Sequence, residues 1–191
     1  MKLGVFGGTF DPIHVGHLIA AEEARESVGL DRMLFVPAGR PPHRPRPPVA
    51  SVADRVRMTA LAIEGHPGFS LDERETATGA ARYTIETLES LRGEFGPDCR
   101  LHLVIGADSL LDLPNWREPE RIRALATIVV VDRPGFDLAA AESGEGIVHV
   151  PGARVGVSSS EIRDRLRLGR SVRYLVPEAV LAYISERRLY S

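Results

Sequence analysis

The sequence contains a single cysteine, Cys99, so no intrachain disulfide can form and no Cys-rich metal framework exists. Long apolar runs are missing too: no stretch approaches the ~20 apolar residues that a membrane span needs. The opening MKLGVFGGTFDPIHVGH has one lysine and an apolar run cut short by glycines and Asp11, so it does not read as a secretory signal. Neither sign of charge is in excess. Lys plus Arg number 24 against 26 Asp plus Glu, a net of −2, whereas bulk nucleic-acid binding usually leaves a basic footprint. These absences lead to the expectation of a protein of the reducing cytoplasm, with no nucleic-acid and no membrane partner. What is present suits a globular fold: 43% hydrophobic and 26% charged residues over 191 positions, enough to bury a core in one domain covering 1–191.

Along the chain, apolar runs of strand length alternate with amphipathic runs of helix length, the pattern of an α/β domain built on a parallel sheet. Strands are predicted at KLGVF (2–6), RMLFVP (32–37), FSLDE (69–73), RLHLVIG (100–106), TIVVVD (127–132) and GIVHV (146–150). Helices are predicted at HLIAAEEARESVG, ADRVRMTALAIEG and YTIETLESLRGEF, and twice more in the tail at SSEIRDRLRLG and PEAVLAYISERRL. The expected fold is a Rossmann-like, doubly wound parallel sheet flanked by helices, with a small helical segment at the C-terminal end. Pro- and Gly-rich stretches at 37–48 and 133–146 read as loops. Ligands of open parallel sheets bind beyond the carboxyl ends of the strands, so the loops that follow them are where chemistry is expected.

The first such loop is GGTFDPIHVGHL. Gly7 and Gly8 can take φ values closed to other residues, and without side chains they let a charged ligand reach the backbone N–H groups. A helix starting near Ile13 or His14 would point its positive end at the same place. His14 and His17 would then lie one turn apart, each ring able to donate to the same phosphates, which would in turn favour the protonated ring. The plain alternatives are a tight turn with two surface histidines, or a metal pair, although zinc would want a third protein ligand. Strand, Gly-Gly, Pro and paired His at one helix start favour the polyphosphate.

GGTFDPIHVGHL also resembles the signature of the nucleotidyltransferase superfamily, whose H-x-G-H element is matched by His14, Val15, Gly16 and His17. A second superfamily element, I-S-S-T-x-I-R, is met by VSSSEIR at 157–163. Physically, Ser158 and Glu161 have capping-box spacing, the hydroxyls and N–H groups of a helix start can hold phosphates, and Arg163 adds a permanent forked cation. The segments RYTIETL (82–88), IGADSLLDLPNW (105–116), VDRPG (131–135) and PPHR (41–44) are similar to the bacterial nicotinate-nucleotide adenylyltransferase family. That resemblance runs from Lys2 to about Leu166. It implies transfer of AMP from ATP to nicotinate mononucleotide, giving nicotinate adenine dinucleotide and pyrophosphate, a late step of NAD synthesis.

The resemblance carries His14, His17 and Arg163 over as catalytic groups, and Gly7, Gly8, Thr9, Phe10, Gly106, Asp108, Ser158, Ser159 and Ser160, with those three, as ATP contacts. For the acceptor it points to Trp116 as a stacking surface, Tyr83 and Thr84 at a helix start for the ring carboxylate, and Arg44 and Arg133 as anion partners. No protein metal ligand is expected; Mg²⁺ would arrive bridging the ATP phosphates, largely keeping its waters. Because the acceptor phosphate is already anionic, attack on the α-phosphorus needs no general base, and catalysis becomes in-line positioning and charge stabilisation. The sequence departs from the family pattern at Val157, Ser160 and Arg82, the last bearing on the carboxylate pocket and on the choice between nicotinate and nicotinamide nucleotides. Rival readings are a phosphopantetheine adenylyltransferase, a class I aminoacyl-tRNA synthetase, and a sensor that binds ATP without turnover. Association into a homo-oligomer is left open.

Overall fold

All six predicted strands form and lie parallel in one sheet of order β3-β2-β1-β4-β5-β6. The computed structural model describes residues 1–39, 47–77, 82–132, 146–152 and 155–191. The strands are β1 Lys2–Gly8, β2 Arg32–Pro37, β3 Phe69–Leu71, β4 Arg100–Gly106, β5 Ala126–Val131 and β6 Ile147–Val150. β1 pairs with β2 on one side (Phe6 beside Phe35) and with β4 on the other (Leu3 beside Leu101), so the strand order reverses there. A crevice opens at such a switch point, beyond the strand carboxyl ends.

Alternation along the strands divides the core in two, because successive side chains leave a strand on opposite faces. Phe6, Met33, Phe35, Val104, Val129 and Val131 face one layer, which holds helices α1 (Val15–Val28), α2 (Val52–Ile63), α6 (Ser159–Arg167) and α7 (Glu178–Arg187). Leu3, Val5, Leu34, Val36, Leu103 and Val130 face the other, against α3 (Thr84–Phe95), α4 (Ala107–Asp112) and α5 (Pro119–Leu125). Strands covered on both faces read as near-continuous apolar runs, and this is what made RMLFVP and RLHLVIG legible.

Local chemistry fixes the ends. α1 stops at Gly29, whose φ of 67° is left-handed, while Leu30 N–H returns to Arg25 O at 2.8 Å. α2 starts at Ser51, whose hydroxyl accepts from Asp54 N at 3.1 Å and donates to the Asp54 carboxylate at 2.6 Å. Tyr183 of α7 donates to the same carboxylate at 2.9 Å, so the tail helices are tied to α2 rather than loosely appended. β3 ends two residues before the expected Glu73, where Asp72 instead takes Arg74 through Nε and Nη2. No helix among the described residues is long and apolar enough to cross a membrane.

Candidate active site

A cleft of about 420 Å³ occupies the crevice beyond β1 and β4. Its walls bring together Gly7, Gly8, Thr9, Phe10, His14, His17, Gly106, Asp108, Ser158, Ser159, Ser160 and Arg163, together with Tyr83, Thr84 and Trp116. Arg44 and Arg133 lie outside the described residues.

The loop after β1 differs from expectation in its backbone. Neither Gly7 nor Gly8 has positive φ; the left-handed residue is Phe10, at φ 49°. Gly8 is required by a close approach instead, since a Cβ there would fall 2.7 Å from the Phe10 ring, whereas a Cβ on Gly7 would meet open space. The absent side chain at Gly7 therefore leaves backbone open to the cleft, and Phe10 carries the strained conformation. Its ring is buried and meets Phe6 at 5.8 Å and the His17 ring edge-on at 5.1 Å.

His14 is the N-cap residue rather than part of the helix, which begins at Val15. Its N–H donates to His17 Nδ1 at 3.2 Å; a neutral His17 ring accepting there carries its own proton on Nε2. The two rings stack with centroids 3.7 Å apart and 24° between planes. The glycine between them has a reason: a Cβ on Gly16 would lie 3.1 Å from His14 Nδ1. Across the cleft, Ser158 caps α6 by accepting from Glu161 N at 3.1 Å. The reciprocal half of the capping box gives way to an ion pair, with Arg165 donating to the Glu161 carboxylate at 3.1 Å. Ser159 Oγ donates to Pro12 O at 2.9 Å, and Arg163 donates to Asp11 O at 2.7 Å and to Ser160 Oγ at 3.1 Å. The loop after β1 and the start of α6 are thus fastened to each other.

On the opposite wall, Tyr83 is the N-cap of α3 and Thr84 its first residue. Glu86 accepts from Tyr83 N at 3.2 Å and pairs with Arg117 at 3.3 Å, and the Arg117 guanidinium stands 4.7 Å from the centre of the Tyr83 ring. This links the helix start to the loop of Trp116, whose indole N–H donates to Asp112 at 3.2 Å. Trp116 also packs on the second core layer, so the hydrophobic-cap and cleft-lining readings both describe it.

Several residues of the site were not legible. Arg55, wholly buried, donates to Thr9 O and Ala38 O at 2.7 Å and to Gly39 O at 2.9 Å, clamping the loops after β1 and β2 together. In the sequence it is one charged residue of an amphipathic helix, and nothing distinguishes it from a solvated one. Glu75 lines the cleft and accepts from Thr87 Oγ1 at 2.6 Å. Burial pushes its carboxyl above the usual range, against the pull of the Thr87 hydroxyl and Arg82. Asp11 is buried, and its carboxylate accepts from Val49 N, Ala50 N and Tyr190 Oη at 2.8, 3.0 and 2.7 Å. Burial, and then that hydrogen bond, hold the Tyr190 phenol protonated far above its ordinary range.

Comparison with known proteins identifies the family. The cytidylyltransferase-like family model matches residues 5–165. A Thermus thermophilus protein named "Probable nicotinate-nucleotide adenylyltransferase" is 47% identical over the full length of both chains. One of the same name from Geotalea uraniireducens is 41% identical over 100% of this chain and 99% of its own. Among solved structures, the Plasmodium falciparum nicotinic acid mononucleotide adenylyltransferase complexed with NaAD superposes with a TM-score of 0.82, covering 99% of this chain and 97% of that one at 18% identity. At that identity the superposition speaks for the fold, and the sequence matches speak for the family. The chain belongs to the nicotinate-nucleotide adenylyltransferases, within the cytidylyltransferase-like group.

Proposed function

We propose that this chain transfers AMP from ATP to nicotinate mononucleotide, releasing pyrophosphate and forming nicotinate adenine dinucleotide. The observation that carries the reading is the convergence of two separate phosphate-binding elements, at His14–His17 and at Ser158–Arg163, on one cleft whose far wall is the α3 start beside Trp116. The first two suit a nucleoside triphosphate. The third suits a planar ring bearing a carboxylate, which the N–H groups of Thr84 and its neighbours can bind and the indole can cover.

In this reading the acceptor phosphate supplies its own nucleophilic oxygen, which attacks the α-phosphorus as the bond to the pyrophosphate oxygen breaks. The protein's part is alignment of two anions and stabilisation of the charge that moves onto the leaving group. His17, with its proton on Nε2, and His14 beside it donate from the α1 start; Arg163 supplies a fixed positive charge; Ser158 to Ser160 and the backbone at Gly8 and Thr9 seat the phosphates. Mg²⁺ enters as part of the triphosphate substrate. Asp108, exposed in the first turn of α4, takes a ribose hydroxyl in this reading.

Pyrophosphate release from MgATP, measured in parallel with nicotinate mononucleotide, nicotinamide mononucleotide and phosphopantetheine, tests the assignment. Release that requires the nicotinate nucleotide is the expected result. Comparable release with nicotinamide mononucleotide would remove the acid specificity, phosphopantetheine as acceptor would overturn the substrate, and no release with any acceptor would leave a nucleotide sensor.

A further inference from the structure

We propose that Tyr190 is a positioning residue for the transfer reaction, its hydroxyl acting through Asp11 to fix the Arg163 guanidinium beside the phosphate-binding loop. The inference rests on the adenylyl-transfer reading for its kinetic consequence and on hydrogen-bond geometry for its cause.

Arg163 takes its place from Asp11. Its Nη1 donates to the Asp11 carbonyl oxygen at 2.7 Å, a shorter anchor than its bond to Ser160 Oγ at 3.1 Å, and lies 4.0 Å from the Asp11 carboxylate, so a shift of residue 11 displaces the guanidinium. Asp11 in turn stands between the left-handed Phe10 and Pro12, in a loop with no repeating backbone hydrogen bonds of its own. Its carboxylate supplies what the backbone does not. One oxygen accepts from Val49 N, and the other from Ala50 N and from Tyr190 Oη, the shortest of the three at 2.7 Å. A buried carboxylate is held most firmly when its lone pairs are filled by donors fixed elsewhere.

Tyr190 is built for that use. It lies 179 residues from Asp11 in sequence and is 6% exposed, its ring within the first core layer and its hydroxyl on the carboxylate of Asp11, which lines the cleft. The chain reaches this position through two left-handed residues that are not glycine, Arg188 at φ 50° and Tyr190 itself at φ 67°. Such conformations persist only where the surroundings over-determine them. Leu189 N–H bonded to Ile184 O at 3.0 Å closes the end of α7 and turns the phenol inward. A tyrosine present only to fill the core would not need its hydroxyl on a buried carboxylate; a phenylalanine would fill the same space.

Tyr190→Phe, Asp11→Asn and the double variant are compared for pyrophosphate release with MgATP and nicotinate mononucleotide, and for amide hydrogen exchange. For Tyr190→Phe, kcat falls about tenfold, the rate equivalent of one charge-assisted hydrogen bond, while KM for ATP stays within about twofold. The double variant is no slower than Asp11→Asn alone, because the two residues act as one unit. Exchange at Val49 and Ala50, whose N–H groups donate to the Asp11 carboxylate, quickens by about tenfold and exchange in β1 does not change. A lower melting temperature with unaltered kcat, multiplicative losses in the double variant, or unaltered exchange at Val49 and Ala50 would each overturn the proposal. If the wild-type protein releases no pyrophosphate, the adenylyl-transfer reading falls by itself, and the exchange measurement still decides whether Tyr190 positions Asp11.

Discussion

At the scale of single residues, the stacked histidines carry the sharpest expectation. His17 has Nδ1 committed to the His14 N–H and its ring packed edge-on against Phe10, so its orientation is fixed before any ligand arrives. A donor preorganised toward charge that develops only in the transition state is worth about 10²–10³ in kcat. His17→Ala should therefore lose that much turnover while ATP affinity, measured by calorimetric titration, changes less than about tenfold. An equal loss in both would place His17 in ground-state binding alone. The identity and spacing of the two histidines could be read from GGTFDPIHVGHL; the reason for the intervening glycine could not, because it is a contact of 3.1 Å with the His14 ring that only folding creates. The same holds for Phe10, which takes the left-handed backbone that the sequence pattern assigned to Gly7 and Gly8.

At the scale of elements, the α2–α7 junction depends on one carboxylate. The Ser51 hydroxyl above all, then Tyr183 and Arg187, hold the Asp54 carboxyl below the usual range against the opposing effect of burial. A depressed folded-state pKa contributes stability above the carboxylate's unfolded pKa, and that contribution is lost as pH falls through the lower folded value. Asp54→Asn should cost about 1–2 kcal/mol at neutral pH, and thermal melts should show the gap from wild type closing in acid. A gap independent of pH would mean that the ionised form contributes nothing. The strands were legible as near-continuous apolar runs and the longer helices because their burial repeats every 3.6 residues over enough length. α5 was not: in Pro119–Leu125 only Ile122 is fully buried, Leu125 is partly so, and a single i, i+3 pair in seven residues is too short to define a period. Its start is set instead by Glu118 at φ 54° and by Pro119 at the first helical position.

At the scale of the whole molecule, the cleft draws on both core layers, since Phe6 and Val104 line it from one and Val5, Val36, Leu103 and Ile105 from the other. A ligand seated there opposes separation of either layer from the sheet. MgATP at about 100 times its dissociation constant should add about 2.7 kcal/mol to global stability and raise the melting temperature by roughly 5–10 °C for a chain of this size. No shift would contradict nucleotide binding at this site. By itself the sequence determined the α/β alternation, the parallel sheet and the two motifs that carry the family resemblance, because periodicity, capping and glycine placement are local and survive without a partner. Tertiary structure alone decided which loops share the cleft, that Arg55 lies buried as a clamp between two of them, and that Tyr190 meets Asp11 across 179 residues. Those facts depend on strand order and on hydrogen bonds between distant segments, and no local pattern in a single chain encodes a partner so far away.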